Sequence, residues 1–278
     1  TAYLKAHYPN EYMAAVLNHA GSIEKITFYM EECRRMKIKV LGPDINESQS
    51  GFAVNNKGEI RFGFSGLKGV GEAAIENIIE ERKKNGIYKD IFDLVKRANL
   101  RTVNKKSLES LIYGGAFDCF KQMHRAQYLH ANTGDISNLE KIIKFGSVIQ
   151  QQNSNSSNTL FGDLELPPIE PPKLPNCNPW QLIEQLDYEK EVTGMFISGH
   201  PLDNYKFELT HYDIQPISRF NEIKNLIKEK PYTRPIRIAG LVIDAQHRVS
   251  KNGKKFGVLH IEDFYGKTEI MLLSEDYV

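Results

Sequence analysis

Cysteine is scarce in this sequence, with three residues (Cys33, Cys119 and Cys177) among 278. Their wide spacing excludes a CxxC metal site, and the odd count argues against a disulfide framework. A reducing, cytoplasmic compartment is therefore expected. Histidine is equally dispersed: His7, His19, His124, His130, His200, His211, His247 and His260 form no HExxH pattern or other pairing at helical spacing. No metal site is expected. Long apolar runs are missing as well. No stretch approaches the roughly 18 apolar residues of a membrane span, so a bilayer is not an expected partner. No basic–apolar–small leader opens the chain. There is no initiator methionine either, and Thr1 runs straight into Ala2-Tyr3-Leu4-Lys5-Ala6, which reads as helix. A piece of a longer protein is the expectation. Excess charge of one sign is also absent overall, since 36 Lys and Arg stand against 35 Asp and Glu.

That balance hides two basic islands. Residues 67–130 hold 12 Lys or Arg against 8 Asp or Glu, and residues 234–257 hold six against Asp244 alone. Concentrated positive charge on a neutral chain points to an anionic polymer held at defined places. A hydrophobic fraction of 41% suffices for real cores. The length suggests two or three units at roughly 100–200 residues per domain.

Apolar periodicity predicts helices over 2–19, with Pro9 starting a second segment, and over about 22–36, with Ser22 as N-cap. Residues 51–64 change to strand-like patterning around Asn55-Asn56-Lys57-Gly58, which predicts a β-hairpin. Helices follow at about 71–85, 90–98, 104–113 and 122–132, with a short one at 139–145. The run Gln150–Thr159 is too polar to fold alone. Six of the twelve prolines then fall between Pro167 and Pro179 and favour extended backbone. A helix to about Phe196 comes next. Three alternating segments (236–242, 256–261 and 268–272), with a basic loop between the first two, suggest part of an OB-type barrel. The expected fold is mainly α with a small β part.

The segment Leu67-Lys68-Gly69-Val70-Gly71 fits the turn of a helix–hairpin–helix. Glycine permits close approach of backbone to phosphate, and free N–H groups at the following helix start form an anion site. Val70 would plug the apolar seam, while Lys68 adds affinity without sequence preference. A tight loop could imitate this pattern. A second, degraded copy is expected where the helix carrying Lys105 and Lys106 runs into Gly114-Gly115-Ala116-Phe117-Asp118, followed by a helix bearing Arg125.

Several strings are more specific than any of these patterns: Ala2-Tyr3-Leu4-Lys5-Ala6-His7-Tyr8-Pro9, Glu32-Cys33-Arg34-Arg35-Met36, Pro43-Asp44-Ile45-Asn46, Ile60-Arg61-Phe62-Gly63, Lys68-Gly69-Val70-Gly71, Gly114-Gly115-Ala116-Phe117-Asp118, Glu189-Lys190-Glu191-Val192-Thr193-Gly194 and Ser198-Gly199-His200-Pro201-Leu202-Asp203. In this order they resemble the bacterial DNA polymerase III alpha subunit, a C-family replicative polymerase. The resemblance implies an end of the fingers domain (1–50), a β-hairpin (51–66) and a tandem helix–hairpin–helix domain (67–135). It further implies a polar, Pro-rich linker with a clamp-binding-like peptide (136–178), a helical connector (179–232) and a partial OB-fold (233–278).

It also implies that the catalytic palm, with its Mg2+-binding carboxylates, lies upstream. No residue of this chain is then expected to be catalytic, and the chain alone should be inactive. Double-stranded primer–template DNA would be held at Lys68, Gly69, Val70, Gly71, Lys105, Lys106, Gly114, Gly115 and Arg125. Single-stranded template would meet Arg248, Lys251, Lys254, Lys255 and Phe256, where cations stand beside an aromatic. Leu160 and Phe161 match the end of a sliding-clamp peptide whose glutamine position is Ser157 here. Other holoenzyme subunits are implied partners. A stand-alone DNA-binding or repair module and a translesion paralogue of the alpha subunit are the alternatives.

Overall fold

A computed structural model describes residues 2–156, 169–226 and 235–277. Leu160, Phe161 and Ser157 lie outside the described residues. The chain divides into two compact units, Thr1–Ser198 and Gly199–Val278. Helices predominate and two small sheets accompany them, as expected.

The first unit opens with α1 (Ala2–His7), α2 (Pro9–Asn18) and α3 (Ile23–Arg35). Pro9 sits in the first turn of α2, where its missing N–H costs nothing, and the Ser22 side chain accepts from the Lys25 N–H to cap α3. The expected hairpin forms from β2 (Ala53–Val54) and β3 (Ile60–Arg61), antiparallel. A further strand, β1 (Val40–Leu41), adds in parallel on the other side of β3. Too short to show a period, it was invisible in the sequence.

Then come α4 (Glu72–Asn85), α5 (Ile91–Arg97), α6 (Lys105–Tyr113) and α7 (Arg125–Leu129). Their apolar stripes converge: Ile78, Ile91, Leu94, Leu108, Leu111 and Ile112 are fully buried. Each such side chain contributes about 1.5–3 kcal/mol. Two arginines stitch this core to its surroundings. Buried Arg82 donates to the carbonyls of Ile45 (2.7 Å) and Ser48 (2.8 Å). Arg97 stacks on Tyr88 and pairs with Glu81 and Asp93. Tyr88 in turn donates from its hydroxyl to the Ile78 carbonyl, and burial pushes its pKa up to about 12.

The next helix, α8 (Asn138–Ser156), is longer than the short helix expected at 139–145. Tertiary packing overrides the polar composition. Leu139, Ile142 and Phe145 are buried, and Gln150 donates to the carbonyls of Val95 and Ala98, both at 2.8 Å. Part of the proline-rich stretch is also held against this unit. His124 bonds the Cys177 carbonyl at 3.0 Å, and Asn138 donates to that of Pro175 at 3.0 Å. The last helix of the unit is α9 (Leu182–Thr193), ended by Gly194 in the left-handed region.

The second unit contains α10 (Lys206–His211) and α11 (Ile217–Leu226), followed by an antiparallel sheet of β4 (Leu241–Val249), β5 (Lys255–Glu262) and β6 (Lys267–Leu273), in that order. The first strand begins later than the alternation at 236–242 suggested. Residues 236–240 precede it, with Arg237 bridged in parallel to Ile214. Arg248 therefore lies within β4, and the turn is confined to 250–254.

Candidate nucleic-acid interface

The first hairpin is entered through a 3₁₀ turn, Phe64–Gly66. Phe64 and Leu67 are buried, and Val70 plugs the seam with 9% of its surface exposed. Lys68, Gly69 and Gly71 are exposed at the tip. Gly69 has φ +90°, and a Cβ there would stand 2.6 Å from the Ser110 hydroxyl oxygen. The fold itself therefore demands glycine at this position. Gly71 differs. It is the N-cap of α4 in ordinary extended backbone (φ −75°, ψ 155°), and a Cβ would meet nothing within 4 Å. Nothing among the described residues requires a glycine at 71. Among the described residues, the N–H groups of Gly69, Gly71, Glu72 and Ala73 have no protein acceptor. They lie at or just before the positive end of a helix dipole.

The second hairpin is not where the sequence pattern set it. Gly114 and Gly115 are buried, and their N–H groups donate to the carbonyls of Ser110 and Ile112. They terminate α6, with Gly115 at φ +83°. They do not form an anion site. Arg125 requires the same correction. Only 8% exposed, it donates to Asp118 through Nε (2.8 Å) and Nη2, to Glu189 through Nη1 (2.7 Å) and to the Tyr113 carbonyl (3.3 Å). Burial alone would lower its pKa, but Asp118 and Glu189 together hold it above the usual value. A guanidinium so committed cannot reach a phosphate.

A counterpart in residue type and burial lies at Leu100-Arg101-Thr102-Val103-Asn104, between α5 and α6. It repeats Leu67-Lys68-Gly69-Val70-Gly71 residue for residue in kind: Leu, a basic residue, a turn residue, a plugging Val and an N-cap. Val103 is 1% exposed, as Val70 is nearly so, and Asn104 caps α6 by accepting from the Ser107 N–H. That spacing was the signal available in the sequence, masked because neither glycine recurs. Arg101 is thus an exposed candidate contact that sequence reasoning missed.

The two hairpins form one surface. Ser107 donates from its hydroxyl to the Gly69 carbonyl (3.3 Å), and Lys106 Cε lies 3.6 Å from where a Gly69 Cβ would be. Lys106 has no ion pair among the described residues, whereas Lys105 is held by Glu140 (3.0 Å) and Glu109 (3.7 Å), the Glu140 hydrogen bond raising its pKa. Glu72, exposed at the start of α4, is the countervailing charge at this end.

In the second unit, Arg248 and Phe256 are direct cross-strand partners on one face. Lys251 and Lys254 occupy the exposed turn, and Lys255 opens β5 opposite Val249. These five residues share one hairpin, but Lys255 and Phe256 point to opposite faces. Among the described residues, no group of three or more His, Cys, Asp or Glu side chains could hold a metal ion, and no helix is long and apolar enough to cross a membrane.

Residues 37–128 match a family described as the helix–hairpin–helix motif. The chain is 35% identical to DNA polymerase III subunit alpha of Escherichia coli (strain K12), covering 99% of this chain and 23% of that protein. It is 36% identical to the same subunit of Vibrio cholerae, with the same coverage. For Borreliella burgdorferi the figures are 34% identity, 100% of this chain and 23% of the relative. The chain thus spans less than a quarter of the length of these relatives. The resemblance to the bacterial DNA polymerase III alpha subunit holds across essentially the whole chain, with a helix–hairpin–helix region at residues 37–128.

Proposed function

We propose that this chain grips the sugar–phosphate backbone of duplex DNA without sequence preference, through the paired tips at Lys68–Gly71 and Arg101–Asn104 with Lys106 between them. The observation that carries this reading is Gly71. Its backbone is ordinary and its Cβ position is open, so the reason for a glycine lies in what approaches from outside. A phosphate oxygen seated on the N–H groups of Gly71, Glu72 and Ala73 needs that space. The corresponding donors at the start of α6, with Lys106 alongside, receive a second phosphate. Backbone N–H donors and flexible cations of this kind serve phosphate oxygens, and such contacts position the duplex and leave its sequence unread.

In the longer protein, this grip would hold the primer–template during DNA-directed synthesis. Polymerisation and the Mg2+ that the resemblance implies belong to carboxylates outside this chain. No step here runs through that metal. Arg248 and Phe256 on one strand pair, with the basic turn beside them, suit single-stranded template by stacking plus charge. Leu160 and Phe161 would tether the chain to the sliding clamp as an aliphatic–aromatic anchor on a short peptide. Other holoenzyme subunits are further partners of the longer protein, in a cytoplasmic setting.

The test is duplex binding followed by fluorescence anisotropy at several salt concentrations, using unrelated duplexes. Affinities should agree between sequences and fall steeply with salt. Lys68→Ala with Lys106→Ala should reduce the slope of log K on log salt by about 0.9 for each phosphate that is no longer neutralised. A double variant with the wild-type slope and affinity would remove these residues from the interface.

A further inference from the structure

The hairpin turn is held from behind by a closed circuit of hydrogen bonds whose centre is a carboxylate with no solvent exposure. Glu189 on α9 is 0% exposed. One of its oxygens takes the Arg125 guanidinium at 2.7 Å, and the other accepts the N–H groups of Ile197 (3.0 Å) and Ser198 (2.9 Å). Arg125 bonds onward to the Tyr113 carbonyl at the C-terminal end of α6. One turn along α9 from Glu189, the Val192 carbonyl accepts the Lys68 N–H at 2.7 Å. That carbonyl is among those left over at a helix end and would otherwise need another partner. The next residue, Gly69, receives the Ser107 hydroxyl at the N-terminal end of α6. The path therefore leaves one end of α6 through Arg125 and Glu189, runs along α9 to Lys68, and returns to the other end of α6.

We propose that Glu189 is the positioning residue for the phosphate-gripping turn, acting through α9. It touches no DNA. By taking Arg125 on one side and the chain beyond Gly194 on the other, it fixes the roll of α9 and hence the Val192 carbonyl. That carbonyl in turn holds the Leu67–Lys68 peptide, through the Lys68 N–H, at the entry to the turn that presents the N–H donors. The inference rests on the duplex-binding reading of the tip, but not on the clamp or single-strand assignments. A buried charge with this many partners is strongly destabilised when one is removed. A loss of stability alone therefore cannot establish positioning, and the test needs a matched control.

Three variants of the 278-residue chain serve. Glu189→Gln keeps the shape but cannot accept on both sides. Arg125→Lys keeps a cation that cannot span Asp118 and Glu189 together. Leu139→Ala opens a cavity on α8 without removing any hydrogen bond of the circuit. Duplex affinity and amide hydrogen exchange at Lys68 are measured on each. Glu189→Gln and Arg125→Lys should both accelerate Lys68 exchange and weaken duplex binding about tenfold, the equivalent of roughly one missing hydrogen bond to phosphate. Leu139→Ala should lower the melting temperature comparably while leaving affinity unchanged. The proposal is overturned if Lys68 exchange is unaltered in the variant that folds, or if affinity falls no further than in Leu139→Ala. If the wild-type chain itself fails to bind duplex, the reading of the site fails, and Lys68 exchange alone decides whether the circuit exists.

Discussion

Replacing Gly71 by aspartate should separate stability from binding in opposite directions. On the folding side, the backbone there is at φ −75° and ψ 155°, and an added Cβ meets no atom within 4 Å. Aspartate is a better N-cap than glycine by a few tenths of a kcal/mol, and its charge at a helix start adds about 0.3–1 kcal/mol. Removing a glycine also restricts the unfolded chain, worth about 0.4–1 kcal/mol. The variant should melt at the wild-type temperature or a few degrees above it, since about 1 kcal/mol corresponds to roughly 2–4 °C in a unit of this size. On the binding side, the new carboxylate occupies the anion site and takes the N–H donors for itself. A phosphate about 5 Å away is repelled by roughly 3 kcal/mol at an effective dielectric near 20, which is about a hundredfold in affinity before salt screening. Differential scanning calorimetry and anisotropy titration on the same sample give both numbers. Gly69→Ala is the contrast: its left-handed backbone costs about 1–2 kcal/mol for any side chain, so its binding loss comes with a loss of stability. If Gly71→Asp folds as well as wild type and binds duplex within about twofold of it, the phosphate site is not at the start of α4.

Two further outcomes are expected. Leu160→Ala combined with Phe161→Ala should abolish co-precipitation with the sliding clamp while leaving duplex affinity intact, and undiminished clamp capture would refute the tether. Glu81 should confer a pH-dependent stability. Burial pushes its carboxyl pKa upward, but hydrogen bonds from Asn85 and Arg97 more than offset this and hold it below the usual 4.5. Its contribution is therefore fully present above that value and is lost as pH falls through the lower, folded-state value. Thermal melts between about pH 5 and about pH 3 should fall less steeply for Glu81→Gln than for wild type, and parallel curves would show that the Glu81–Arg97 pair contributes nothing.

Much of the helical framework was legible from local signals. Pro9 and Ser22 marked helix starts, and the stripe Ile75, Ile78 and Ile79 marked the buried face of α4. Where the sequence misled, the missing information was long-range. The polar run after Gln150 has no reason to be helical until the Val95 and Ala98 carbonyls are in place to receive its side chain. Strand β1 is two residues long and exists only because Ile60 and Arg61 lie beside it. Glycines at 114 and 115 suggested a phosphate turn, yet the same residue type serves a helix end, and only the donors' partners distinguish the two.

For the hairpin itself, composition and spacing alone determined that Lys68–Gly71 is a tight, glycine-bearing turn entering a helix. Tertiary structure decided the rest. It assigned Gly69 to a steric demand of the fold and left Gly71 without one. It moved the second tip to Arg101–Asn104, where Val103 occupies the seam as Val70 does, and it withdrew Arg125 into a buried pair with Glu189. The physical reason is the range of the forces involved. Periodicity and capping act within one turn of chain, whereas the availability of a cation or an N–H to a ligand depends on which distant groups have already claimed it.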